Sequence, residues 1–287
     1  MTAETMNTAA AFKHRTRIQW DEAAAGWDRH GPEIRNWLRA PTDAMLGMAG
    51  IATGQTVLDV AAGAGDQTLD VAARVGARGA VVATDISEAI LSFALGNAVR
   101  AGHANVRVQA ADAEDLGFDD AQFDAAVCRL GLMFLPNPLE GLKEIYRVLK
   151  PGGRFCSMVF AGPQMNPCLG ILMTTAMRHA GLTPRDPFQP GSLVSLGKPG
   201  LLDDLFRQAG FRSVATTQME VPFRLPTTAD YLEFIRESAG PILQILAPLD
   251  TAARAAAWAD ISAQLDAYQT TGGWIGPNTL LLTAGQK

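Results

Sequence analysis

Apolar and polar positions fall into short blocks whose period switches repeatedly between that of a strand and that of a helix. Thr56-Val-Leu-Asp-Val60 is an apolar run broken only by Asp59, and small residues follow at once, from Ala61 to Gly65. A run that ends this way reads as a buried strand entering a tight turn. From Asp66 to Val75 the spacing becomes helical, with Leu69, Ala72 and Ala73 on one side. The alternation then repeats. Strands are predicted at Ala80–Thr84, Val106–Ala110, Ala125–Arg129 and Arg154–Phe160. Between them lie a helix Glu88–Ala101, capped by Ser87 and striped by Ile90, Leu91, Ala94, Leu95 and Ala98, and a helix Leu139–Lys150. Asn137-Pro138 starts that second helix and Pro151-Gly-Gly153 stops it. A further helix, Leu201–Ala209, and strands Ser213–Phe223 and Thr279–Ala284 complete the pattern. Strands alternating with helices predict an α/β fold, a seven-stranded doubly wound sheet.

Outside this alternation the chain is helical. Met1 to Thr16 reads as disordered or weakly helical, Trp20–His30 as a small-residue helix and Pro32–Met48 as another, with Gly26 and Gly31-Pro32 allowing a bend. Asn166–Ala180 is a methionine-rich helix, followed by a long loop at Pro184, Pro187, Pro190 and Gly191, and Thr227 to Gln269 reads as wholly helical. The expected division is an N-terminal helical lid at 1–50 and a core at 51–160. A helical and loop insert at 161–199, a core helix and strand at 200–226, a helical cap at 227–276 and a last core strand at 277–287 follow.

The first turn carries the candidate chemistry. The N–H groups that open a helix are unpaired and aim at whatever fills the turn, and small residues let a ligand approach the backbone. A dinucleotide fingerprint would place a third glycine at position 68, where Thr68 stands, and it has no use for Asp59. Asp85, at the end of the second strand, is placed to accept both hydroxyls of a ribose. Ile86 offers an apolar face to a purine, and Asp112 offers an acceptor to an exocyclic amine. The spacing from Asp59 through Ala61 and Gly63 to Gly65 resembles the first motif of the class I S-adenosylmethionine-dependent methyltransferases, with alanine at position 61 as a departure. Asp112-Ala-Glu-Asp-Leu116, Phe123-Asp-Ala-Ala126 and Arg147-Val-Leu-Lys-Pro-Gly-Gly-Arg154 extend the likeness over Thr53 to Phe160. Together they resemble the ubiquinone/menaquinone biosynthesis-like branch. The resemblance implies a Rossmann-like core with S-adenosyl-L-methionine as cofactor. It implies that Asp85 holds the ribose, Ile86 packs on adenine, and Asp112 with Ala113 meets the adenine amine. It also implies that the backbone from Ala61 to Gly65 flanks the methionine part and that Arg129 lines the cofactor.

Composition narrows the partners. A net charge of −5 with no long basic run argues against nucleic acid. The apolar segment at 168–177 is too short and broken to span a bilayer, and the N-terminus lacks a secretory pattern. Three cysteines without C-x-x-C spacing favour a reducing, cytoplasmic setting and no structural metal. A homodimer remains open. His30 is the candidate general base, and Trp20, Trp27, Met173, Met177 and His179 are candidate substrate contacts. The expected function is O- or C-methylation of a small, partly apolar metabolite by in-line transfer. The alternatives are an NAD(P)-dependent oxidoreductase and a non-catalytic S-adenosylmethionine-binding module.

Overall fold

A computed structural model of the chain describes residues 3–183 and 186–287. The expectations for Met1, Thr2 and Pro184 fall outside the described residues. The core is a seven-stranded sheet in the order β3-β2-β1-β4-β5-β10-β6. Its strands are β1 (Thr56–Val60), β2 (Ala80–Asp85), β3 (Val106–Ala110), β4 (Phe123–Arg129), β5 (Leu149–Phe160), β6 (Arg212–Glu220) and β10 (Thr279–Gln286). The first five run parallel, and β10 runs antiparallel to both β5 and β6. Helices α3 (Asp66–Val75), α4 (Glu88–Arg100), α5 (Pro138–Val148) and α7 (Leu201–Gln208) make the connections. The central strands are buried on both faces: Val57, Leu58, Ala126, Val127 and Cys156 are fully enclosed. That is why they read as continuous apolar runs. Chain order reverses between β1 and β4, so a crevice opens at their carboxyl ends.

Three departures from the sequence reading bear on the site. First, the leader is ordered: α1 spans Ala3–Arg29 as one helix, and α2 (Gly31–Met48) follows after a turn at His30. Docking supplies the order that local propensity lacks. The Asp21 carboxylate accepts from the Ser87 hydroxyl at 2.5 Å, and Asp28 accepts from Asn97 Nδ2 at 2.7 Å. Second, Gly26 is no hinge. It lies inside α1, where a methyl group would overlap the backbone carbonyl of Glu237. Third, residues 227–268 are helical much as expected, but the cap expected at 227–276 does not end in helix. After α8 (Thr228–Ser238), α9 (Gly240–Leu246) and α10 (Thr251–Leu265) come two short strands, β8 (Gln269–Thr270) and β9 (Gly273–Gly276). With β7 (Phe223–Leu225), which breaks away from β6, they form a separate three-stranded sheet. The methionine-rich helix α6 (Pro167–His179) packs against α9 and α10.

Gly26→Ala should push α1 off α8. Overpacking of this kind costs about 1–3 kcal/mol, read as a fall in Tm of roughly 2–4 °C per kcal/mol. A Tm equal to the parent's would mean that α1 does not sit this close to α8.

Candidate functional site

The first turn is held from beneath. The Asp59 side chain is fully buried and points at the start of α3, where Gln67 Nε2 donates to Oδ1 at 3.1 Å and Thr68 Oγ1 donates to Oδ2 at 2.6 Å. Burial pushes the Asp59 carboxyl up to about 7, against the pull of those two donors and of the Arg129 charge. Asp59 therefore sets the turn rather than facing the crevice. Above it, Ala61 and Gly63 adopt left-handed φ of 53° and 58°. For an alanine that conformation is strained by roughly 1–2 kcal/mol. Space for its methyl comes from Gly131, where a Cβ would overlap the Ala61 methyl. Gly65, also left-handed, precedes α3 and lets it approach α4: a Cβ there would lie 2.8 Å from that of Ala94.

Asp85 faces the crevice. Its Oδ2 accepts the Gly63 N–H at 3.1 Å and its Oδ1 accepts the Ser87 N–H at 3.0 Å, which leaves further lone pairs for a ligand. Ser87, not Asp85, caps α4 by accepting from the Ile90 N–H. Burial raises the Asp85 carboxyl to about 6, opposed by those backbone donors. Asp112 lies beside it, on the loop after β3, where the Ala111 N–H donates to the Asp85 carbonyl at 2.9 Å. Its Oδ2 is 2.6 Å from Nζ of Lys13 on α1, which also reaches Glu114 at 2.7 Å. Arg129, at the end of β4, is buried, pairs with Asp66 and donates to Thr42 Oγ1 at 3.0 Å.

These groups open on one cleft of about 1480 Å³, its open mouth included. At one end are Ala61, Gly63, Asp85, Ile86, Asp112, Ala113 and Arg129. The other end is a wall of rings and aliphatic side chains: Trp37, Phe160, Leu169, Leu172, Phe223, Tyr231 and Phe234 among them. The charged side chains lining the cleft among the described residues are Lys13, Asp85, Asp112 and Arg129, all at the first end. Trp27 lies over the first turn, its Nε1 3.2 Å from where a Gly63 side chain would begin.

Of the residues singled out in the sequence, Ala61, Gly63, Asp85, Ile86, Asp112, Ala113, Arg129, Trp20 and Trp27 line the cleft. Asp59 and Gly65 shape it from behind. The others lie elsewhere. His30 Nε2 is 3.0 Å from a Glu237 carboxylate oxygen and its ring meets Phe234 edge-on, so it pins α1 to α8. His179 is paired with Asp260 at 2.9 Å, joining α6 to α10. Met173 and Met177 are not on the wall; Leu169 and Leu172 of the same helix are. The pattern missed Lys13, whose place in an apparently unstructured leader hid it. It also missed the aromatic wall of the cap, for which Tyr231 and Phe234, three apart on a predicted helix, were the available signal.

Residues 35–174 match the model of the ubiE/COQ5 methyltransferase family. The ubiquinone/menaquinone biosynthesis C-methyltransferase UbiE of Idiomarina loihiensis is 40% identical over 130 residues, 45% of this chain and 50% of that protein. The chain thus spans about half the length of the curated relatives it matches. Among solved structures, the YcgJ protein from Bacillus subtilis superposes with a TM-score of 0.59 at 19% identity, covering 87% of this chain and 98% of that one. Phosphoethanolamine N-methyltransferase 2 of Haemonchus contortus, in complex with S-adenosyl-L-methionine, gives 0.55 at 19% identity, covering 91% of this chain and 57% of that one. Residues 35–174 are thus similar to the ubiE/COQ5 methyltransferase family, and the chain shares the Rossmann-like fold of these solved structures.

The buried Asp59 gives stability a pH signature. Below about pH 4 its carboxyl is neutral in both folded and unfolded chains. Between that point and about 7 the unfolded chain loses the proton while the folded chain keeps it, so stability falls as pH rises. Asp59→Asn preserves the size and a hydrogen-bonding head but not the ionisation. Its urea midpoint should decline less than the parent's between pH 5 and 8, with Asp85 contributing equally to both proteins. Parallel curves would show that Asp59 ionises in the fold as it does in water.

Proposed function

We propose that the chain is an S-adenosylmethionine-dependent methyltransferase that acts on an apolar, hydroxyl-bearing ring, at carbon. The observation that carries this reading is the division of a single cleft. One end has the polar groups for a nucleoside, and the other is aromatic and free of acidic or imidazole side chains among the described residues.

The first end fits the cofactor. Asp85 accepts one backbone N–H on each oxygen and still has lone pairs for two ribose hydroxyls. Asp112 already holds a donor, the Lys13 ammonium, on the oxygen that an adenine amine would use. Gly63 leaves the turn bare beneath Trp27. When bound, the cofactor supplies an electrophilic methyl group on a sulfonium. The protein's part is alignment and dryness. Trp20, Trp27 and Phe134 form a contiguous ring cluster over the first turn, with centroids 5.7 and 5.3 Å apart along Trp27–Trp20–Phe134. This is the lid, and it excludes water from the line between the two ends.

The second end bears on the acceptor. A wall without a base suits an acceptor that is its own nucleophile. The carbon of an electron-rich ring qualifies, since its proton need not leave during attack and can pass to solvent once the methylated ring is exposed to it. An alcohol would need a base in reach of its proton. The C-methyltransferase among the relatives is in keeping with this reading, although the match covers the core and leaves the cap outside it.

Four outcomes are expected. Calorimetry should show binding of S-adenosylmethionine and S-adenosylhomocysteine and none of NAD; tight NAD binding alone would favour the oxidoreductase. Asp85→Ala should weaken S-adenosylhomocysteine by on the order of 1.5–3 kcal/mol, roughly 10- to 150-fold in Kd, and an unchanged Kd would remove Asp85 from the ribose. Deleting residues 1–32 should leave a folded core that binds cofactor more weakly and transfers no methyl group, whereas full turnover would refute the lid. In the same assay His30→Ala should lower Tm and spare turnover per folded molecule. A selective loss of turnover would restore His30 as the base.

A further inference from the structure

Tyr231 sits at the apolar end of the cleft, on α8 of the cap, beyond the segment matched by the family. Its ring is locked. Trp274 stacks on it at 4.1 Å with the planes 18° apart, and Phe223 meets it edge-on at 5.9 Å. Its hydroxyl makes no hydrogen bond with any described residue. Several donors of the cleft and cap are used within the protein. Trp37 Nε1 donates to the Val221 carbonyl at 2.8 Å, Ser238 Oγ to the Phe234 carbonyl at 2.5 Å, and Asn278 Nδ2 to the Gly276 carbonyl at 3.1 Å. Trp274 Nε1 donates to the Leu265 carbonyl at 2.9 Å.

The side-chain polar atoms sealed from solvent without a partner belong, among the described residues, to Gln19, Asp66, Arg74, Ser157 and Thr228. The Tyr231 hydroxyl is not one of them, although the residue is only 2% exposed. The residue itself lines the cleft. A tyrosine buried this deeply ordinarily finds a partner for its O–H, and leaving it unpaired is costly. Burial also drives the phenol well above its ordinary value, so it stays protonated and can donate.

We infer that Tyr231 is a specificity residue that donates a hydrogen bond to a hydroxyl or carbonyl oxygen on the acceptor ring and so fixes which edge of the ring faces the cofactor. This rests on the methyltransferase reading. A site built to pair a ring oxygen rejects the analogue that lacks it, because the protein group is then left unpaired. A phenylalanine would fill the same volume and make the site indifferent.

The test uses the full chain saturated with S-adenosylhomocysteine and two bicyclic probes of nearly equal shape, 1-naphthol and 1-methylnaphthalene. Quenching of tryptophan fluorescence reports their binding. The parent should prefer 1-naphthol by about tenfold, corresponding to roughly 1.4 kcal/mol. Tyr231→Phe, with an unchanged Kd for S-adenosylhomocysteine, should bind both equally, and 1-methylnaphthalene no worse than the parent does. A preference that survives in Tyr231→Phe, or a parent that binds neither probe, overturns the assignment. Failure of the parent to bind S-adenosylhomocysteine at all would instead sink the methyltransferase reading. If Tyr231→Phe is less stable, its Kd for S-adenosylhomocysteine still reports the folded fraction, and Phe223→Leu, which loosens the same wall but keeps the hydroxyl, should retain the preference for 1-naphthol.

Discussion

The contact between Asp59 and the first turn of α3 is the constraint on which the site depends. A carboxylate in mid-sheet is unfavourable by itself, and here burial dominates its ionisation. Gln67 and Thr68 meet it from the helix, so β1 and α3 are fastened at the one place where the chain must turn sharply. With that turn set, the Gly63 N–H reaches Asp85, and Asp85 in turn receives Ser87 at the head of α4. Two helix starts and two strand ends are thereby tied through two buried acids. The left-handed backbone at Ala61 is tolerated in this setting because Gly131 clears the space beside it, and Leu130, φ 56°, is strained on the facing loop. Strain gathered on both sides of one crevice is the pattern of a ligand site held ready before its ligand arrives.

Thr68 shows how much of this was legible and how much was not. In the sequence it mattered as the glycine that was missing, an argument against a dinucleotide. In the fold it has a positive role as the donor to Asp59. No spacing rule conveys that, since the bond joins residues whose relative orientation exists only once the turn has formed. The strands and helices of the core were readable because each has a long run of one period. The little sheet of β7, β8 and β9 was not, because its strands are two to four residues long and are interrupted by Gly272 and Gly273. Gly273 adopts a φ of 115° there, against the Leu225 carbonyl, which is a tertiary contact without a local signature. The order of α1 before Trp20 was hidden for a related reason: it comes from Lys13 meeting an acid pair about a hundred residues away in the chain.

Lys13 also changes how the lid is understood. Its ammonium bridges Asp112 and Glu114, and Glu114 also accepts the Asn137 N–H that precedes α5. An adenine amine arriving at Asp112 would compete with a charged donor rather than fill an empty place. The pair is partly exposed, so its attraction is moderate and screened by salt. Lys13 is thus one anchor of α1 among several, together with Asp21 and Asp28.

Fastening at that end has consequences at the other. From Trp20 a chain of ring contacts runs through Trp27, Phe234, Phe223 and Tyr231 to Trp274, each pair within 6.5 Å. The first two rings belong to α1 and the remainder to the cap and the small sheet. Glu237 reinforces the join, since Arg29 and His30 both reach it where Gly26 brings the helices closest. Packed rings of this kind do not stretch; they keep one arrangement or exchange it for another. The α1 helix, the cap helices and the small sheet are therefore packed as one continuous unit, and the same rings that cover the first turn continue into the wall around Tyr231.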